Sequence, residues 1–94
     1  MNLIINKIGL PATLEQLAEE AAELSKAALK LARVIRGENP TPVSYAQAVD
    51  SLMEEAADVR NCLNVLQDGA FPVSLNTEQT EQAKMNRWLE RLEG

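Results

Sequence analysis

Apolar residues recur at helical spacing along most of this 94-residue chain. Leu14, Leu17, Ala21, Leu24, Ala28, Leu31 and Ile35 alternate steps of three and four, the signature of an amphipathic helix. Thr13 is placed to cap its start, with Gln16 as capping-box partner. Gly37 and Pro40 are placed to end it, after Arg33 and Arg36 complement its C-terminus. The segment 37–43, GENPTPV, reads as a loop from its turn residues. Ser44 then caps a second helix, in which Val49, Leu52, Ala56, Val59, Leu63 and Leu66 repeat the same spacing. Asp68–Gly69 and Pro72 terminate it. A last helix starts near Asn76 or Thr77, with Met85, Trp88, Leu89 and Leu92 as its apolar face. Residues 2–9 are apolar ahead of Gly9 and Pro11 and predict a short strand or one or two helical turns. The expected fold is all-α: one domain over residues 1–94, a bundle of three to four helices. The short connection predicts that the two long helices pack antiparallel.

Composition sharpens this picture. Hydrophobic residues make up 46% of the chain and aromatics only 3%, so Ala, Leu and Val must supply a thin core. The LII and IGL segments near the start find little partner surface in so small a bundle. Oligomerisation through helix packing is therefore expected, as a homodimer or a dimer of dimers. The net charge of −5 argues against nucleic acid as the main partner, because phosphate backbones are held by Lys and Arg. No apolar run approaches the roughly 18 residues of a membrane span, and the start, MNLIINKIGL, is too short and polar for a signal peptide. A cytoplasmic location is the expectation. The chain has no His, which removes His-based acid–base chemistry and the usual zinc sites. Cys62 stands alone, so no intrachain disulfide forms, and it reads as a small buried hydrophobe.

The candidate chemistry lies in an acidic octapeptide that occurs twice. Residues 17–24 read LAEEAAEL and residues 52–59 read LMEEAADV. Each copy carries two carboxylates three residues apart, Glu20 and Glu23, then Glu55 and Asp58, on nearly one helix face. The two copies agree in phase: Glu20 lies about 60° and Glu23 about 120° to one side of Leu17, and Glu55 and Asp58 stand likewise to Leu52. Both pairs are thus expected at the edge of a buried seam. Ala21, Ala22, Ala56 and Ala57 beside them are expected to let the helices approach closely. Four converging carboxylates repel unless cations lie between them, and Mg²⁺ is a hard ion that takes oxygen ligands. Glu19 and Glu54 lie further round, as supporting groups or a water-activating base.

Paired motifs of this kind, EEAAEL at 19–24 and EEAADV at 54–59, resemble the signature of the MazG-like all-α nucleoside triphosphate pyrophosphohydrolases, relatives of the dimeric dUTPases. The likeness covers roughly residues 13–93; the stretch from Ser25 to Glu54 is longer than is common in that family. It implies that Glu20, Glu23, Glu55 and Asp58 bind Mg²⁺, with Mn²⁺ as a possible substitute, and that Glu20 and Glu55 are the catalytic carboxylates. It implies hydrolysis of a nucleoside triphosphate by water attack at the α-phosphorus, giving a nucleoside monophosphate and pyrophosphate. The rival expectation is a non-catalytic helical module that binds nucleotide or a protein partner.

A triphosphate needs cations beyond the metal. Lys84, Arg87 and Arg91 form a basic stripe on the last helix, and Arg holds phosphate oxygens bidentately. Lys30 lies two turns beyond Glu23 on the same side. Asn61 and Asn64 follow the second motif and offer hydrogen bonds to a base or sugar. The expected substrate-binding residues are therefore Lys30, Asn61, Lys84 and Arg87, each weighed against an ordinary solvated face. Trp88 is expected as a core or interface anchor.

Overall fold

In the computed structural model, which describes residues 3–37, 43–70 and 78–94, the chain is all-α. Four helices follow in order: α1 (Leu3–Ile8), α2 (Leu10–Arg36), α3 (Tyr45–Gly69) and α4 (Glu78–Glu93). The leading apolar segment resolves as helix α1. Its break from α2 is Gly9, whose φ of 89° lies where side-chain-bearing residues are strained. Gly9 closes α1 through its N–H to the Ile5 carbonyl (2.8 Å) and opens α2.

The start of α2 differs from expectation. The helix begins at Leu10, with Pro11 in its first turn, where a missing N–H costs nothing. Thr13 is therefore inside the helix, not at its cap. Its hydroxyl donates to the Gly9 carbonyl at 2.9 Å, and the residue is buried. Gln16 turns instead to Glu20, donating from Nε2 to Oε1 at 2.7 Å. The other ends follow the sequence reading. Gly37 adopts the left-handed conformation at φ 66° and its N–H bonds the Arg33 and Val34 carbonyls. Ser44 and Gln47 form a reciprocal capping box at the start of α3. Pro40, Pro72, Asn76 and Thr77, and most of the GENPTPV loop, lie outside the described residues.

Helices α2 and α3 pack along their lengths, and α1 leans on both. The pairing is antiparallel: Thr13 and Gln16 share a cavity with Cys62 and Val65, whereas Ala27 and Lys30 share one with Ser51. The seam runs through Thr13, Leu17, Glu20, Leu24, Ala27, Leu31 and Val34 on α2, and Ala48, Leu52, Glu55, Val59, Cys62 and Leu66 on α3, all buried or half-buried. This phase corrects the expected one. Leu14, Ala21, Ala28 and Ile35 are exposed. So are Ala22 and Ala57, and the small residues buried between the helices are Ala27 and Ala48. The cause is that α2 carries two adjacent apolar rows sharing Leu17, Leu24 and Leu31. One neighbour accommodates only one of them.

A simple rule then sorts the surface. Residues one step after a seam position turn about 100°, and in an antiparallel pair that step takes both helices toward the same side. Leu14, Ala21, Ala28, Ile35, Met53 and Leu63 fall on that side. Residues one step before the seam fall on the other: Gln16, Glu19, Glu23, Lys30, Ser51, Glu54, Asp58 and Asn61. The hairpin therefore has an apolar side and a charged side.

A single chain leaves much of its apolar surface open. The buried hydrophobic residues among those described are Ala27, Ala48 and Leu66. Helix α4 makes no close contact with α1, α2 or α3, and Trp88 is 55% exposed. The radius of gyration is 16.7 Å, against about 12.4 Å for a compact domain of this length. No helix among the described residues is long and apolar enough to cross a membrane.

Candidate metal centre

The two copies of the acidic motif meet across the seam. One carboxylate oxygen each from Glu20, Glu55 and Asp58 lies within 4.8 Å of the other two. The motif's heptad-like placement explains this. Glu20 and Glu55 occupy seam positions and are half-buried; Asp58 sits one step before Val59, on the exposed charged side. The sequence reading placed both acids of each pair at the seam's edge. Instead, the first acid of each pair lies within the seam and the second at its rim.

Glu23, the fourth expected ligand, stands beside this trio. It pairs with Lys26 at 3.5 Å, an exposed contact of the kind worth only a few tenths of a kcal/mol. It lines a cavity of about 210 Å³ with Lys26, Ala27, Lys30, Ser51 and Glu55. The structure therefore brings together Glu20, Glu55 and Asp58 and leaves Glu23 outside the trio.

The charges within the cluster are felt by their neighbours. Partial burial raises the pKa of the Glu55 carboxyl above its ordinary value, and the negative charges of Asp58, Glu20, Glu23 and Glu54 add to the effect. The Cys62 thiol is also pushed up, by burial first and then by Glu20 and Asp58. Cys62 is half-buried and lines the neighbouring cavity with Thr13, Gln16 and Val65.

The donor set suits a hard divalent cation. All the groups offer oxygen, and opposite ligands of Mg²⁺ lie about 4.2 Å apart, twice a Mg–O distance near 2.1 Å. Of three ligands only one pair can be opposite and the others stand about 3.0 Å apart, so a trio within 4.8 Å would draw closer by side-chain rotation to hold one ion, with water as its further ligands. The ion would neutralise phosphate charge and lower the pKa of a bound water.

The remaining expected residues divide. Lys30 lies on the charged side in the Glu23–Glu55 cavity. Asn61 lies on the same side in a second cavity, with Ile4, Ile8, Thr13, Gln16, Cys62 and Val65. Lys84 and Arg87 line a recess with Glu90 and Arg91, and within one chain their helix does not reach the acids. Three neighbours of the cluster escaped the sequence reading. The sequence reading gives Gln16 a cap role and gives Lys26 and Ser51 none. The available signal was spacing: Gln16 and Ser51 each stand four residues before a seam carboxylate.

No protein-family model, curated protein or solved structure matches this chain.

Proposed function

We propose that the protein hydrolyses a nucleoside triphosphate to the monophosphate and pyrophosphate with Mg²⁺. The observation that carries this reading is the convergence of Glu20, Glu55 and Asp58 from two copies of one motif. Three carboxylates this close repel one another, and a cation that binds polyphosphate would relieve that repulsion. Lys26 and Lys30 beside the cluster supply positive charge for phosphate oxygens that the metal does not take. Glu20, Glu23, Glu55 and Asp58 are the proposed ligands.

The test is pyrophosphate release from a nucleotide panel in Mg²⁺. Glu55→Gln keeps side-chain volume and removes one ligand charge; activity is expected to fall at least a hundredfold with helicity unchanged. Equal release by the variant would remove the cluster from the chemistry. Tight nucleotide binding without release would favour the non-catalytic module.

The proposed working unit is a homodimer joined through the apolar side of the hairpin. One chain exposes 7310 Å², whereas a compact monomer of its mass exposes about 5,400 Å². In that dimer the row Leu14, Ala21, Ala28, Ile35, Met53 and Leu63 would face its own copy across a two-fold axis. Its use leaves the charged side open to substrate.

A further inference from the structure

Two apolar surfaces of this chain have no partner within it. The first is a pocket of about 140 Å³ between α1 and the hairpin, with Ile4, Ile8, Cys62 and Val65 in its wall. It is open on one side and presents only apolar surface, which suits an inserted apolar side chain and no polar ligand. The second is the stripe of Met85, Trp88, Leu89 and Leu92 on α4, each about half exposed or more, on a helix that makes no close contact with α1, α2 or α3. Both belong to the surface of 7310 Å² that one chain exposes, against about 5,400 Å² for a compact monomer. The charges beside them match. Lys84, Arg87 and Arg91 stand one step before Met85, Trp88 and Leu92, about 100° round α4 from the stripe. Among the described residues none of the three has an ion-pair partner. The acid cluster has the opposite imbalance: Glu19, Glu20, Glu23, Glu54, Glu55 and Asp58 stand against Lys26 and Lys30. The other flank of α4, one step after the stripe, carries Asn86, Glu90 and Glu93, which those acids would repel.

We infer that α4 of a second copy docks on this pocket, with the partner's Trp88 inserted between α1 and the hairpin and its basic row laid against the acid cluster. An indole is a large apolar body with one polar atom; its rings meet Ile4, Ile8, Cys62 and Val65, and its N–H stays at the open mouth, in water. The pocket's α2 wall, at Thr13 and Gln16, lies ~8 Å from Glu20 at about 1.5 Å per residue. A helix with its side chains is about 10–12 Å across, so a row a quarter-turn round from the inserted indole reaches that distance. Only the basic flank is matched there, and this fixes which way round α4 docks. The exchange is reciprocal about a two-fold axis, so each copy lends one helix and receives one. It gives α1 a role as one wall of the socket. It also leaves the cavity that holds Lys30 and Ser51 open beyond the cluster.

The docking rests on the proposed function only for what the lent cations do with a bound triphosphate: they hold phosphate oxygens that the metal does not take. Its test therefore uses the full chain without metal or nucleotide. Isotope-labelled and unlabelled chains are unfolded together, refolded and read by isotope-filtered NOEs. The expected result is contact between the Trp88 ring of one copy and the Ile4, Ile8 and Val65 methyls of the other. Contacts only within one chain, or none, would overturn the inference. Ile8→Asp places a charge in the socket at a half-exposed position. It should move the emission of Trp88, the only Trp, to longer wavelength and raise its quenching by acrylamide severalfold; unchanged emission would also overturn the docking. Lys84→Glu with Arg87→Glu should loosen the dimer severalfold at low salt and less at high salt, where charges are screened. Equal loosening at every salt concentration would remove the charge matching. No pyrophosphate release from any nucleotide, with the contacts present, would leave the docking standing and overturn the hydrolase; release without the contacts would do the reverse.

Discussion

Replacing Met53 by Glu tests the proposed dimer most directly. Met53 follows the seam residue Leu52, lies near the middle of α3 on the apolar side, and is 63% exposed in one chain. If the chain works alone, Met53→Glu is an ordinary surface change, within about 0.5 kcal/mol of neutral. The dimer predicts something different. The excess of exposed over compact surface is about 1,900 Å² per chain, taking the observed 7310 Å². Part of that excess belongs to α4; covering half of it on each partner would bury about 1,900 Å², the size of a stable interface. A two-fold axis places two new carboxylates in that interface, and burying charge without a partner costs at least about 3 kcal/mol. At about 1.4 kcal/mol per decade the dissociation constant should rise more than a hundredfold. Sedimentation equilibrium over a wide concentration range reads this as mass. Wild type should weigh twice the 10.3 kDa of one chain, or four times if dimers pair, and Met53→Glu should fall toward one chain. A wild-type mass of one chain throughout, or a variant indistinguishable from wild type, would refute the reasoning.

Three further outcomes are expected. Leu66→Ala should cost about 2–5 kcal/mol in urea unfolding, because Leu66 is the largest fully buried side chain, at 1% exposure. Ser44→Ala should cost about 0.5–2 kcal/mol by loss of the cap, since Ser44 Oγ accepts from the Gln47 N–H and the Gln47 side chain returns the bond; Ser44→Asp should restore most of it. Glu55 sets a pH dependence. Its folded pKa is raised above 4.5, so the native state binds more protons than the unfolded one in the window above that value, and stability falls as pH rises through it. Melting in a chelator should therefore show Glu55→Gln above wild type at neutral pH, with the gap closing toward pH 4.5; added Mg²⁺ should raise wild type more than the variant. A gap independent of pH would mean that Glu55 is not under this charge pressure.

Local signals in the sequence were sufficient for the helices and weak for their rotation. Ser44 with Gln47, and Gly37 after Arg36, set ends by short-range hydrogen bonds, so the residues themselves announce them. Thr13 with Gln16 looked equally good, yet Gly9 and Pro11 start the helix a turn earlier, and the threonine hydroxyl bonds back inside it. The seam phase was ambiguous in principle. The Leu17, Leu24 and Leu31 row serves two adjacent apolar faces, and nothing local says which face meets α3 and which is left out. That ambiguity is why Glu20 and Glu55 were expected at the rim. The apolar pocket was illegible for a different reason: Ile4 and Ile8 reach Asn61 and Val65 only when α1 folds onto the hairpin. The place of α4 is not written in its own pattern either, since its stripe of Met85, Trp88, Leu89 and Leu92 fits any apolar neighbour.

The rotation also bears on why the acids are there. In a seam of alternating three- and four-residue steps, positions 20 and 55 lie between Leu17 and Leu24 and between Leu52 and Val59, where an apolar side chain would bury surface worth about 25 cal/mol per Å². Both positions carry Glu, and the two glutamates meet each other and Asp58. A solvated acidic face explains Glu19 and Glu54, which point away from the seam at no cost. It does not explain carboxylates in the seam itself, because packing and electrostatics both work against them there. The charged residues nearest them sharpen the point. Lys26 is turned to Glu23 and leaves Glu55 with its pKa raised, so the fold does not neutralise its own cluster. The fold thus keeps carboxylate repulsion on its main packing surface, and the cation of the proposed function is the group that would relieve it.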